Sequence, residues 1–284
     1  MTATIGTIGA MMRFPVKSLM GEHIDACDVT LTGLDGDRCY ALVDVATGKI
    51  ASAKQPNLWR DLLKFSASTS SSAGQHAITV SDISGGAVGD LSSGFDEKLS
   101  ALLGRQVRLI DVRPAGIELN RARPDEVLID GEDTLVTQDL LVIAAAAPNG
   151  GFFDFAPIHL MTSTSLDAIA AAAPNASIIA QRYRPNIIID SASLEPFAEN
   201  DWVGRRIQIG QSVALEIIAP TPRCAVPMLA QGSHPRSPEA VGVVTRLNKV
   251  ECAILGPGTF PCLGAYATVV ASGRIERGDQ VVLS

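Results

Sequence analysis

Short runs of alternating apolar and polar residues fill the first 65 positions, and glycine breaks one run from the next. Residues 4–14 mix Ile, Thr, Gly and Phe as a strand does, and FPVKS at 14–18 follows as a turn. In CDVTLTGLDGDRCYALVD, Gly33, Asp35 and Gly36 separate two runs rich in β-formers, and ATGK at 46–49 is a second tight turn. The pattern predicts a meander of short strands. SASTSSSAGQ at 66–75 is small and polar, which predicts a flexible connection, and AITV with GGAVGD predicts a further hairpin. SSGFDEKLSALLG at 92–104 has helical spacing instead. Serine opens it, acids fill the first turn, Phe95, Leu99, Leu102 and Leu103 share a side, and Gly104 stops it. QVRLIDV returns to a strand. PAGIELNRARPDEVLIDGED has no clear period, and a domain boundary is expected there, dividing the chain into 1–125 and 126–284.

Beyond residue 157 the pattern changes. PIHLMTSTSLDAIAAAAPNA predicts a strand ending in a Thr/Ser cluster, then an alanine-rich helix closed by Pro174 and Asn175. RYRPNIIIDS predicts a buried strand, EPFAENDWVG a loop, and RRIQIGQSVALEIIAP a strand pair turning near Gly210. AYATVVASGRIERGDQVVLS alternates as a hairpin does, with turns at SGR and RGD. There is no internal repeat. The chain reads as mainly β, of α+β type, with a few helices and closed or barrel-like sheets.

Composition narrows the function more than the fold. At 284 residues, 46% hydrophobic and 19% charged, the chain has the balance of a soluble globular protein. A formal net charge of −7 argues against nucleic acid as the main partner. A local basic pocket remains open, because 17 of the 23 basic residues are arginine, the residue suited to forked binding of phosphate or carboxylate. The five cysteines are odd in number and irregularly spaced, with no CxxC pair and no zinc spacing, so a reducing cytoplasm is expected. No segment approaches the roughly 20 apolar residues that span a bilayer. LLVIAAAA at 140–147 is far too short, and MTATIGTIGAMM lacks the pattern of a secretory signal and reads as a first strand. No membrane association is expected.

The most unusual heptapeptide is PTPRCAV at 220–226, where Pro220 and Pro222 stiffen the approach to Cys224 and Arg223 places a cation beside it. A rigidly held thiol next to a cation suits a nucleophile or a soft metal ligand; a buried loop cysteine is the plainer alternative. Lys17 and Ser18 in PVKS form a pair able to hold an oxyanion, or an ordinary surface pair. Arg38 after GLDGD is an anion contact or a strand-end salt bridge to Asp35 or Asp37. Arg182, Arg184 and the amide of Asn186 converge before an apolar strand, an expensive place for charge without an anion nearby. TSTS at 162–165 opens a helix, so Thr162 and Ser163 either cap it or bind a phosphate there. The histidines form no constellation, and no nucleophile–base pair supports a hydrolase triad. Cys262 beside Gly264 is a weaker rival to Cys224, better explained as a tight barrel corner.

In order along the chain, FPVKS, GLDGDR, PIHLMTSTSL, RYRPNIIID, PTPRC and GRIERGDQVVL resemble the MOSC family. That family groups the C-terminal domain of molybdenum cofactor sulfurases with amidoxime-reducing molybdenum enzymes. The resemblance implies a MOSC β-barrel core, at 126–284, preceded by an N-terminal β-barrel-like domain at 1–125. It implies that Cys224 is the protein ligand of molybdenum and the catalytic position. It further implies that Lys17, Ser18, Arg38, Thr162, Ser163, Arg184 and Arg223 hold the molybdopterin of a molybdenum cofactor. Pyridoxal phosphate is not expected. The implied activity is reduction of small N-hydroxylated compounds, with electrons from a separate ferredoxin, flavoprotein or cytochrome b5-like protein. After PTPRC the chain reads AVPMLAQG in place of the threonines usual in reducing members, which leaves the substrate side unassigned. Two alternatives stand beside this one: a metal-free sulfur carrier or sulfurtransferase with a persulfide on Cys224, and a non-catalytic carrier of the cofactor.

Overall fold

The computed structural model describes residues 3–72, 75–90, 94–147 and 150–284. β1 (Ala3–Arg13) leads into the FPVKS turn, and β2 (Ala41–Asp44) follows it. β3 (Phe65–Ser72), β4 (Gln75–Asp82) and β5 (Ala87–Asp90) form an antiparallel sheet of three. The polar run at 66–75 is therefore mostly a strand, with residues 73–74 outside the described residues. Its two apolar anchors explain this: Phe65 and Ala67 alternate into the core, with Thr69 next on the same face, while Ser66, Ser68 and Ser70 take the other. α1 (Phe95–Leu103) buries Phe95 and Leu99, and Gly104 ends it in the left-handed conformation, where its N–H can reach back to the last turn. Its N-cap is Gly94; Ser92 and Ser93 lie outside the described residues. β6 (Val107–Ile110) returns to pair with β2, closing a core of Leu42, Trp59, Leu62, Ile78, Val80 and Leu99.

The stretch without a period folds as β7 (Glu118–Ala122), α2 (Pro124–Asp130) and β8 (Gln138–Val142), with β7 and β8 paired antiparallel. Pro124 at the first helical position and acids in the first turn favour α2. Its apolar residues carry no helical period because Ile129 is 82% exposed and only Val127 is buried.

The second half supplies β9 (Ile158–Thr162), α3 (Ser163–Ala172), β10 (Ile187–Asp190), β11 (Arg206–Ile209) and β12 (Val213–Pro222). α4 (Glu239–Leu247), β13 (Lys249–Glu251), β14 (Thr259–Ala271) and β15 (Gln280–Leu283) complete it. Seven strands close in the order β9-β10-β1-β15-β11-β12-β14, and β14 pairs back on β9. All these pairings are antiparallel except β9 with β10, which are parallel and joined through α3. β1, from the start of the chain, is a stave of this barrel, held by β10 and β15.

The barrel is filled by alternating apolar positions: β12 alternates buried and half-buried along its whole length. Ile158, Leu160, Ile207, Leu215, Ile217 and Val281 are all fully buried. Each such side chain contributes roughly 1.5–3 kcal/mol by leaving water. This packing fixes the strands and the turns that join them. The FPVKS turn after β1, the approach to β10, the end of β12, His159 of β9 and Tyr266 of β14 all line one cavity at the barrel rim. Among the described residues no helix is long and apolar enough to cross a membrane.

Candidate functional site

The cavity at the rim is lined by Lys17, Ser18, Arg38, Arg184, Arg223 and Cys224. Those are six of the eight positions singled out from the sequence. Its volume is about 80 Å³.

Thr162 and Ser163 do not line it. Thr162 is fully buried and caps α3 by accepting the Ser165 N–H at 3.2 Å, while its hydroxyl also meets Glu199 Oε2 at 3.0 Å. Ser163 bonds Asp190 Oδ1 at 3.0 Å and accepts the Ser191 N–H. Capping and phosphate binding use the same residue types at a helix start; here the cap accounts for the Thr162 hydroxyl, and the bonds to Asp190 and Ser191 account for that of Ser163.

Three cavity residues hold a left-handed backbone: Ser18 at φ 69°, Arg38 at φ 49° and Arg184 at φ 58°. Such residues cost about 1–3 kcal/mol each and persist where surrounding contacts over-determine them. Those contacts are present. Ser18 Oγ accepts the Ala53 N–H at 3.2 Å, and Lys17 N–H bonds Tyr40 O at 2.8 Å. Arg38 N–H bonds Phe14 O at 2.8 Å, and its own carbonyl accepts from Phe152 N at 2.7 Å.

The arginines divide by what they do. Arg182 is fully buried and spends its guanidinium on the carbonyls of Ser177, Pro227, Leu229 and Pro235, at 2.6 to 3.1 Å. It ties the 227–235 loop to the barrel and is structural, not an anion ligand. Arg38 and Arg184 instead stack on the Phe14 ring, with guanidinium carbons 4.9 and 4.2 Å from its centre. Arg38 pairs with buried Asp37, whose other oxygen accepts the Phe14 N–H at 2.7 Å. Arg184 gives one bond to Leu19 O at 2.8 Å and meets no carboxylate among its hydrogen bonds. Burial first, and the facing Arg38 second, lower its pKa to about 9. Arg223 is anchored by Thr221 O at 3.1 Å and Tyr183 O at 3.2 Å.

Sequence reasoning missed Lys54, Asp154 and Tyr266. Asp154 Oδ1 takes the Lys17 ammonium at 2.5 Å and Oδ2 takes Lys54 at 3.0 Å. Burial alone would raise the Asp154 carboxyl, but Lys17 and Lys54 outweigh it and hold it well below the usual range. Lys17 in turn is lowered to about 8, by burial against the pull of Asp154. An acid set among phenylalanines in GFFDFAP was the available signal for Asp154; nothing local marked Lys54 or Tyr266. His159 sits with Nδ1 3.3 Å from Arg184 O and Nε2 3.2 Å from Leu263 O. Burial, then Arg223, keep its pKa well below that of a free imidazole, so the neutral ring donates to one of the two carbonyls. The ring fits only because Gly264, at φ +80°, has no side chain: a Cβ there would lie 2.6 Å from His159 Nε2 and 2.4 Å from Leu160 O.

Lys17, Lys54, Arg38, Arg184 and Arg223 bring five positive charges to this rim, leaving Arg182 aside, against two carboxylates, Asp154 and Asp37. A surplus of about three buried or half-buried cations is costly without a counter-anion. Cys224 lies among them, half-buried and with a free thiol. Among the described residues no three His, Cys, Asp or Glu side chains cluster to hold a bare metal ion. A metal at Cys224 would bring its other ligands with it.

The fold is thus a closed barrel with a thiol and an arginine-rich cavity at one rim. Two family models match this chain, the MOSC domain over residues 149–282 and the MOSC N-terminal beta barrel domain over residues 5–74. The chain belongs to the MOSC family. No curated protein matches it. Among solved structures it is similar to the YUAD protein from Bacillus subtilis, at 12% identity and TM-score 0.47, covering all of this chain and 97% of that one. It is also similar to YiiM from Geobacillus stearothermophilus, at 18% identity and TM-score 0.32, over 45% of this chain and 54% of that one.

Proposed function

We propose that this protein is a molybdenum-cofactor-dependent oxidoreductase that reduces small N-hydroxylated compounds with electrons from a separate protein. One observation carries the reading: a surplus of cations surrounds the Cys224 thiol at the barrel rim. The donor set fits a phosphorylated pterin that carries a soft metal with sulfur ligands of its own. Lys17, Arg38, Arg184 and Arg223 would hold the anionic parts, Ser18 would add a hydroxyl, and Cys224 would bind the metal. When bound, such a cofactor supplies a two-electron redox centre and a Lewis acid.

The chain's own residues do the positioning. Phe14 stacks Arg38 and Arg184 so that both guanidinia keep donors for an anion, and Asp154 fixes Lys17 and Lys54. Overall, an N-hydroxylated amine takes up two electrons and two protons and leaves as the amine and water. A ferredoxin, flavoprotein or cytochrome b5-like protein is the proposed electron donor. The cytoplasm is the proposed compartment, where five free cysteines persist.

Turnover tests the reading. Protein from a cofactor-making host, given an aryl hydroxylamine and reduced viologen, is expected to oxidise two viologens per amine formed. Arg184→Gln is expected to slow this by roughly tenfold or more. A loaded protein that turns over no N-hydroxylated compound would reduce the reading to a cofactor carrier. A metal-free protein with a persulfide on Cys224 would replace it with sulfur transfer.

A further inference from the structure

A second hollow lies on the far side of the Pro222–Cys224 segment, between the β7–α2–β8 unit and the corner made by α4, β13 and β14. Its volume is about 600 Å³, within the roughly 300–1,000 Å³ usual for small-molecule sites. Arg223 lines both hollows, so this groove is separated from the Cys224 cavity by one residue's thickness of chain.

Its lining is amphipathic. Leu128, Leu141, Ile254, Leu255 and Phe260 supply apolar surface, all of it at least partly accessible, and Val241 closes the wall. Arg121, Arg123 and Lys249 supply three positive charges, with Arg223 already counted in the Cys224 cavity, against Asp125 and Asp139. The carboxylate of Asp139 is shared at long range, 3.6 Å from Arg121 and 3.4 Å from Arg123. Arg121, only 8% exposed, has one further bond, to Arg223 O at 3.3 Å. Lys249 is exposed and makes no ion pair among the described residues. Local cation excess over an apolar floor, on a chain of net charge −7, is complementary to one kind of ligand.

We propose that this groove binds a small organic anion with an apolar body. The charged group sits against Arg121, Arg123 and Lys249, and the body lies along Leu128, Leu255 and Phe260. This site stands independently of the cofactor reading, because none of those six residues lines the Cys224 cavity.

The test compares two fluorescent probes of similar shape, anilinonaphthalene sulfonate and the uncharged phenylnaphthylamine, on the full chain. The sulfonate is expected to bind saturably and to lose roughly tenfold or more in affinity in the double variant Arg123→Glu, Lys249→Glu, a change of about 1.4 kcal/mol. The uncharged probe is expected to change by less than about twofold in the same variant. Phe260→Ala, with Leu255→Ser as a second apolar-face variant, is expected to weaken both probes. Near-UV circular dichroism identifies any variant that has lost its packing. Equal sulfonate binding by wild type and the charge-reversed variant, or no saturable binding by wild type, would overturn the proposal. Self-association that blocks the probe, seen by sedimentation, would overturn it in favour of a second copy of the chain. Metal and pterin content is read on the same samples, so failure of the groove and failure of the cofactor cavity are distinguished.

Discussion

The interior of the barrel and its rim are built on the same seven strands, yet they treat buried surface in opposite ways. Inside, Ile158, Leu160, Ile207 and Leu215 are fully buried in one apolar cluster. At the rim, Lys17 and Arg223 are buried and Arg184 half-buried, with more charge than the local carboxylates neutralise. A fold selected for stability alone has no use for the second arrangement, since well-packed apolar residues of similar volume do as well or better. The contrast between Arg182 and Arg184, two residues apart, makes the same point. The first is satisfied by four carbonyls and holds a loop. The second is held over an aromatic ring with a single carbonyl bond. Buried cations that serve the fold have their partners within it, and the under-partnered ones are those the proposed function assigns to a ligand.

The comparison breaks first at Arg182. Arg182→Ala leaves four carbonyls of the 177–235 region without their donor and is expected to cost about 3–5 kcal/mol in denaturant unfolding. A cost under about 1 kcal/mol would erase the distinction between the two arginines. Next comes the interior: Leu215→Ala, in the filled barrel, is expected to lose roughly 2–5 kcal/mol by the same measurement.

At the rim the sign changes. Arg184→Gln removes a cation that burial and Arg38 already disfavour, so the cofactor-free protein is expected to keep its stability within about 1 kcal/mol while losing affinity for the anion. The pH dependence sharpens this. Lys17 has a folded pKa of about 8 against 10.5 when free, so above pH 8 the unfolded chain binds more protons and stability rises with pH. Between pH 8 and 9 Cys252, lowered to about 7 by its hydrogen bond with Cys262, adds a rise of the same sign. Cys27 and Cys39, raised to about 11, oppose it once free thiols begin to ionise, so the Lys17 part is the difference between wild type and Lys17→Met. Lys17→Met is expected to flatten that rise, measured as unfolding midpoint against pH; an unchanged slope would assign it to other groups. The smallest effect is expected at the surface, where Arg246→Ala breaks an exposed pair with Glu239 at 2.6 Å and leaves the unfolding midpoint unchanged within error.

What could be read along the chain was local. Alternation marked the strands of the barrel, and the unusual chemistry of PVKS, GDR, RPN and PTPRC marked six residues that the fold gathers into one cavity. Long-range facts left no trace. Nothing in ATIGTIGAMMR says that it lies between two strands from the second half of the chain. Lys54 and Tyr266 became site residues only because the fold brings them to the rim. Thr162 and Ser163 were ambiguous for a physical reason: a hydroxyl at a helix start serves an N–H or a phosphate equally well, and only the neighbours decide. At 118–130 the apolar pattern failed because α2 leaves most of its apolar residues at the surface.

On the proposed function, the rim's cations and Cys224 hold a molybdenum pterin. That is tested most directly by molybdenum and pterin content per chain, by elemental and mass analysis, in protein made by a molybdate-fed, cofactor-competent host. Wild type is expected to carry both in near-stoichiometric amounts, Cys224→Ser to lose the metal or alter its absorption spectrum, and Arg184→Gln to lose both. Wild type and Cys224→Ser that both emerge free of metal and pterin from such a host would contradict the account.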